Sequence, residues 1–195
     1  MDKKILITGT GIISAMGRNT REVAMNLYKG KCGLHHDEDR WDYISDLCGK
    51  VPSWKEDYLS ILTHAQYKCM PAHGFFVLDA VFEALKKAKV SKEFLENHNV
   101  SLIVSNDSEC YESADLVKHV KSDADNRQLP VTTLFNTLNS AISMNLATIL
   151  GIHGLSLTIS AACAGGGHAI GLAKMLLDSK QTEMVIVIGA QETTT

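Results

Sequence analysis

Between Leu155 and Leu177 the chain passes from an apolar run, Leu155-Ser156-Leu157-Thr158-Ile159, through Ser160-Ala161-Ala162-Cys163 into Ala164-Gly165-Gly166-Gly167-His168-Ala169-Ile170-Gly171-Leu172-Ala173. The first part has the composition of a strand, and the last has the length and spacing of a helix, so the segment spells strand, sharp turn, helix. No formally charged side chain stands between Ser160 and Ala173, which predicts a helix buried on all sides. A helix wrapped in this way needs layers above and below it. A chain of 195 residues with about six strands supplies only one such cover, so burial alone predicts a missing partner chain or a missing half of this one.

The rest of the sequence alternates strand and helix. Lys4 to Thr8 reads as a first, buried strand, and Asn19-Thr20-Arg21-Glu22 as a capping box opening a helix that Gly30 and Gly33 close. His35 to Leu62, with both tryptophans and the acidic run Asp37-Glu38-Asp39, reads as a surface excursion with a short strand near Cys48 to Val51. Phe75, Leu78, Phe82 and Leu85 share one helical face within Pro71 to Lys89. Val100 to Ser105 is a strand, followed by the polar turn Asn106-Asp107-Ser108-Glu109 and a helix toward Lys121. Ser122 to Pro130 is a polar loop, Thr133 to Leu150 a helix, Gly165 to Leu177 a helix, and Met184 to Ile188 the last strand. Without repeats or linkers, residues 1–195 read as a single α/β domain with a mixed, mostly parallel sheet and helices on both faces.

Charge and cysteine usage narrow the function. Nineteen Lys and Arg against twenty-two Asp and Glu give a net charge of −3, which leaves no basic field to hold nucleic acid or an anionic membrane. The apolar stretch Ile5 to Ile7 is too brief for a secretory signal. Five cysteines, Cys32, Cys48, Cys69, Cys110 and Cys163, form no CxxC pair, which fits free thiols in a reducing cytoplasm.

At the strand-helix turn, the Cys163 thiol faces the unpaired N–H groups and positive dipole end of the following helix, which favour thiolate. Three successive glycines there allow a close approach of substrate or backbone. On spacing alone the alternative, a small core residue, is the more common fate of an unpaired cysteine. The other cysteines read as core or loop. His168 lies five residues on with Gly167 between, off the face of the thiol, and reads as a packed core histidine. The remaining histidines show no metal-ligand spacing with Cys or carboxylates, so neither a metal nor a cofactor is expected. Thr8-Gly9-Thr10-Gly11-Ile12-Ile13-Ser14 invites a dinucleotide reading, but Ser14 replaces the third glycine and no acidic residue follows at the required distance. A tight turn is preferred.

Four stretches together resemble the N-terminal half of a β-ketoacyl-[acyl-carrier-protein] synthase, of the thiolase fold. They are Ile5 to Ser14, Lys29-Gly30-Lys31-Cys32-Gly33, Asn136-Thr137-Leu138-Asn139-Ser140-Ala141-Ile142, and Ala162-Cys163-Ala164-Gly165-Gly166-Gly167-His168-Ala169-Ile170-Gly171. The resemblance implies that Cys163 is a nucleophile that takes an acyl group from a carrier-protein thioester, with its backbone N–H as one oxyanion donor. A malonyl carrier thioester then loses carbon dioxide and its carbanion attacks the acyl-enzyme. Members of that family are about twice this length and carry both catalytic histidines in the C-terminal half, and none of the eight histidines here matches them. The resemblance places Ser108 at the gate of the acyl pocket, where the family usually carries a glycine-rich turn and an apolar gate. This departure leaves fatty-acid, polyene and polyketide pathways all open. It also implies an acyl carrier protein as partner, and a homodimer or a heteromer with a complementary C-terminal half or another synthase, with Leu155 to Ser160 at the interface. The alternative is a non-catalytic module that pairs with a full synthase or with the carrier protein.

Overall fold

The computed structural model describes residues 4–41, 44–51, 53, 57–107, 110–122 and 132–191. Among these, the chain up to Leu6, from Asp57 to Phe75 and from Ser91 onward forms one compact unit; from Ile7 to Ser53 and from Phe76 to Val90 it forms a second.

The first unit is built on a parallel sheet of three strands, β3 (Val100–Asn106), β4 (Ser156–Ile159) and β5 (Met184–Ala190), in the order β4-β3-β5. Leu102 to Ser105 pair with Ser156 to Ile159, and Val100 to Asn106 pair with Met184 to Ala190. Every residue of β3 is buried, as expected of a central parallel strand covered on both faces. Alternation along the strands sends Ile103, Ile159, Val185 and Val187 to one face. There they meet Ala169, Leu172, Ala173 and Leu176 of helix α9 (Gly165–Asp178). The small residues on α9 bring it close to the sheet. Thr158 points to the opposite face, where its hydroxyl and that of Ser143 on α8 (Ala141–Leu150) share a hydrogen bond of 2.6 Å. Helices therefore lie on both faces, as the sequence predicts.

Also in this unit are α2 (Tyr58–Ile61), α3 (His64–Cys69), α5 (Lys92–Asn97), α6 (Cys110–Lys121) and α7 (Thr133–Asn136). The α3 helix begins in a capping box made by Thr63 and Gln66, and Ser91 caps α5 by accepting from Phe94 N at 3.2 Å. The single helix expected over Thr133 to Leu150 is broken into α7 and α8 by the turn at residues 137–140.

The second unit contains α1 (Thr20–Tyr28), a two-residue hairpin of β1 (His35–His36) and β2 (Leu47–Cys48), and most of α4 (Ala72–Ala88). Asn19 accepts from Glu22 N at 2.9 Å as the capping box requires, but the Glu22 carboxylate turns to Arg18 N at 2.8 Å in place of Asn19 N. Lys50 pairs with the buried Asp37 at 2.9 Å and ties the hairpin together. A Cβ on Gly9 would stand 2.1 Å from the Ala84 carbonyl oxygen, and one on Gly11 1.8 Å from that of Ala80. These glycines therefore let the chain lie against the backbone of α4, which accounts for the pattern without a dinucleotide.

Two further expectations fail. Lys4 to Thr8 is neither paired nor buried: Leu6 is 73% and Ile7 84% exposed, and no described strand lies in register beside them. An extended segment gains ladder bonds and cover only from a neighbour. The α9 helix is buried on its sheet face alone, with Ile170 61% and Met175 67% exposed on the other, because the described chain offers a single sheet for it to pack on.

Candidate active site

Sheet pairing between β3 and β4 ends at Ser105 and Ile159. Past this point the chain of β4 turns through Ser160 and Ala161 into a 3-10 turn, Ala162–Ala164, and directly into α9. Ala162 has a φ of +45°, a left-handed conformation that costs an alanine about 1 kcal/mol. Cys163 follows it as a free, exposed thiol at the N-terminal end of α9. The turn closes on itself: Ala164 N donates to Ala161 O at 3.1 Å, and Gly165 N donates to Ala162 O. Ala164, at the helix cap, provides no side-chain acceptor, so the positive end of the α9 dipole is left open beside the thiol.

Gly165 explains one of the three glycines. A Cβ there would lie 1.9 Å from Ser105 Oγ, so only glycine lets α9 start this close to the end of β3. Cβ atoms on Gly166 and Gly167 would meet nothing within 4 Å. Beyond the ladder, Ser160 Oγ donates to the carboxylate of Asp107, joining the exits of β3 and β4 by their side chains. On the opposite face of the sheet, fully buried Asn106 donates through Nδ2 to Asn139 O at 3.1 Å and hydrogen bonds His73. His73 is buried, and that burial, opposed by the Asn106 bond, pulls its pKa down to about 4, which keeps the imidazole neutral.

Of the residues singled out from sequence, Cys163 stands on the strand-helix turn, and its thiol is exposed among the described residues. His168 is exposed as well, which corrects the expectation of a packed core histidine; among the described residues α9 has no second layer over that side. Ser108 lies outside the described residues, as does most of the polar loop expected at Ser122 to Pro130. Sequence reasoning does not single out Ser105, Asp107 or Ser160. Their signal is positional: each falls at the carboxyl end of a parallel strand, where α/β sheets gather their sites. Among the described residues no group of three or more His, Cys, Asp or Glu side chains is placed to hold a metal ion. Among them, too, no helix is long and apolar enough to cross a membrane.

A parallel sheet with helices on both faces and an exposed cysteine on a strained strand-helix turn defines an α/β protein with a thiol at the end of its sheet. The sequence model of the beta-ketoacyl synthase N-terminal domain matches residues 2–195, and the chain belongs to that family. It is 27% identical over 195 residues to 3-oxoacyl-[acyl-carrier-protein] synthase 1 of Buchnera aphidicola subsp. Acyrthosiphon pisum, covering 97% of this chain and 47% of the relative. The protein of the same name from Escherichia coli K12 is 27% identical over 197 residues with the same coverage. The chain spans about half the length of the curated relatives it matches. Among solved structures, the ishigamide ketosynthase/chain length factor superposes with a TM-score of 0.83 at 20% identity, over 96% of this chain and 47% of that one. A ketosynthase bound to its type II polyketide synthase acyl-carrier protein, AntDE:AntF, superposes at 0.76 and 18% identity, over 97% and 46%. At these identities the likeness establishes the ketosynthase fold.

Proposed function

We propose that this chain is the acyl-accepting portion of a β-ketoacyl-[acyl-carrier-protein] synthase. The observation that carries the reading is the exposed Cys163 on the Ala162–Ala164 turn, within a family match that runs the length of the chain. The Cys163 thiolate attacks the carbonyl of an acyl thioester on a carrier protein, forming a new C–S bond. The carrier thiol departs and takes up a proton. The oxyanion of the tetrahedral intermediate is held in part by the Cys163 N–H, and the start of α9 adds its dipole to that stabilisation. Condensation with a malonyl carrier thioester then releases carbon dioxide, forms the new C–C bond and frees the thiolate.

Decarboxylation calls on the two histidines that the resemblance assigns to a C-terminal half, supplied by further chain or by a partner. The partners in this reading are the carrier protein and a second synthase chain, homologous or identical, and the setting is the cytoplasm. Fatty-acid, polyene and polyketide substrates fit equally well, and Ser108 is the proposed gate of the acyl pocket. A non-catalytic pairing module is the second reading; the exposed thiol at the turn favours the first.

Intact-protein mass spectrometry before and after incubation with an acyl-carrier thioester, with peptide mapping, tests the proposal. The expected result is one acyl group on Cys163, absent from Cys163→Ser under the same conditions. No adduct, even with the complementary partner added, would leave the binding module.

A further inference from the structure

We infer that Asp107 is a positioning residue for the Cys163 turn, acting through Ser160. The inference concerns the geometry of the thiol and takes from the preceding section only that Cys163 is the reactive group. The strained residue Ala162 stands between two attachments to β3. On the C-terminal side, Gly165 seats α9 against Ser105, where no Cβ can fit. On the N-terminal side, the backbone ladder has already ended at Ser105 and Ile159, and the next tie is the Ser160 hydroxyl donating to the Asp107 carboxylate. Asp107 thus extends the pairing of β3 and β4 by a side chain, two residues short of the left-handed alanine.

A left-handed alanine persists only where its surroundings over-determine it. With Gly165 fixed and Ser160 released, Ala162 can relax to the right-handed region, which turns the following peptide and carries the thiol and the N–H of Cys163 away from the start of α9. The exposed thiol is then presented differently to a reagent in solvent, away from the positive end of the α9 dipole. Asp107 does not touch the reacting atoms in this account; it holds the residue that orients them.

The rate of Cys163 carbamidomethylation by iodoacetamide, followed by peptide mapping on the protein as isolated, reads this directly and needs no acyl substrate. Asp107→Ala and Ser160→Ala are each expected to lower the rate by about three- to tenfold, a span of about 0.7 to 1.4 kcal/mol, and together to lower it no further. Asp107→Asn keeps an acceptor oxygen and restores the rate to within about twofold, whereas a role for the charge alone would leave it at the level of Asp107→Ala. In an Ala162→Gly background, where left-handed backbone carries no steric cost, the ratio of the rates without and with the added Asp107→Ala change falls to near one. Circular dichroism at each step separates lost folding from lost positioning, and Ser160→Ala serves if Asp107→Ala fails to fold. Equal rates for wild type and both alanine variants, or additive losses, or an undiminished effect in the glycine background, would each overturn the inference. Failure of acyl transfer with this pattern intact would instead strike the functional reading and leave the positioning role standing.

Discussion

At the scale of single residues, the three consecutive glycines divide into one that is required and two that are not. Gly165→Ala drives a methyl into Ser105 Oγ, 1.9 Å away, and overpacking of this kind costs about 1–3 kcal/mol. The expected fall in Tm is about 2–4 °C for each kcal/mol in a chain of this size. Removing the oxygen with Ser105→Ala leaves the Ser105 Cβ position 3.1 Å from the new methyl, so the double variant recovers part of the loss. Gly166→Ala and Gly167→Ala meet open space and gain about 0.5–1 kcal/mol of helix stability each. Thermal melts of the four variants check both halves; a destabilised Gly166→Ala would contradict the geometry. The sequence announces that something approaches closely at Gly165-Gly166-Gly167, yet not which glycine meets it, because that depends on β3, a strand about sixty residues away in the chain. Cys163 is legible for the opposite reason: strand, turn and helix around it are local. Asp107 and Ser160 are not, since their bond joins two strand exits whose register only the folded sheet fixes.

At the scale of elements, α4 carries two groups whose protonation is tied to folding, one in each unit. His73 lies in its first turn, and its folded pKa of about 4 stands below the ordinary histidine value. Between those two values the unfolded chain binds the extra proton, so this contribution to stability is full above about pH 6.5 and is lost as pH falls toward 4. Glu83 lies further along the same helix. Burial pushes its pKa up, but Lys87, the Thr20 hydroxyl and the backbone N–H groups of Thr20 and Ile12 outweigh that and hold it down at about 2. The bonds are short: 2.7 Å from Lys87, 2.7 Å from Thr20 Oγ1, 3.0 Å from Thr20 N and 3.1 Å from Ile12 N. Its contribution is present above about pH 4.5 and is lost as pH falls toward 2. Urea denaturation of His73→Asn should therefore show a flatter pH dependence than wild type between pH 6.5 and 4 only. Glu83→Gln should lose about 1–3 kcal/mol at pH 7, with the difference closing below about pH 4. Equal slopes in wild type and variant within either window would rule out that group as the source. The helix itself is plain from Phe75, Leu78, Phe82 and Leu85, since amphipathic spacing is local. The extended stretch Lys4 to Thr8 misleads because its apolar residues resemble a buried strand, and composition does not supply the neighbour a strand needs. Helices α2, α3 and α5 escape a reading of the sequence because each has six residues or fewer, too short to show a period.

At the scale of the whole chain, apolar side chains lie open at several separate places. Leu6 and Ile7 are exposed on the extended N-terminal stretch, Leu155 precedes the edge strand β4, and Ile170 and Met175 stand on the outer side of α9. Scattered apolar exposure is ordinary on a soluble protein, but on α9 these two residues accompany the exposed Gly171 on a face without a charged residue until Lys174. Up to Lys174 this face carries no charge to oppose its own association. The 195-residue chain on its own should therefore self-associate in a concentration-dependent way and bind a hydrophobic dye such as ANS. Both properties should persist in high salt, which screens charge and leaves apolar contact intact. Replacing Ile170 and Met175 together by lysine is expected to remove most of the dye signal and to shift sedimentation velocity profiles toward the 21.3 kDa monomer. Far-UV circular dichroism should be unchanged, because neither side chain contributes to the buried face of α9. If association and dye binding survive the double change, the outer face of α9 is not their source; the edge of β4 and the stretch at Leu6 and Ile7 become the surfaces to alter next. If both are lost, the outer face of α9 is the source of the association.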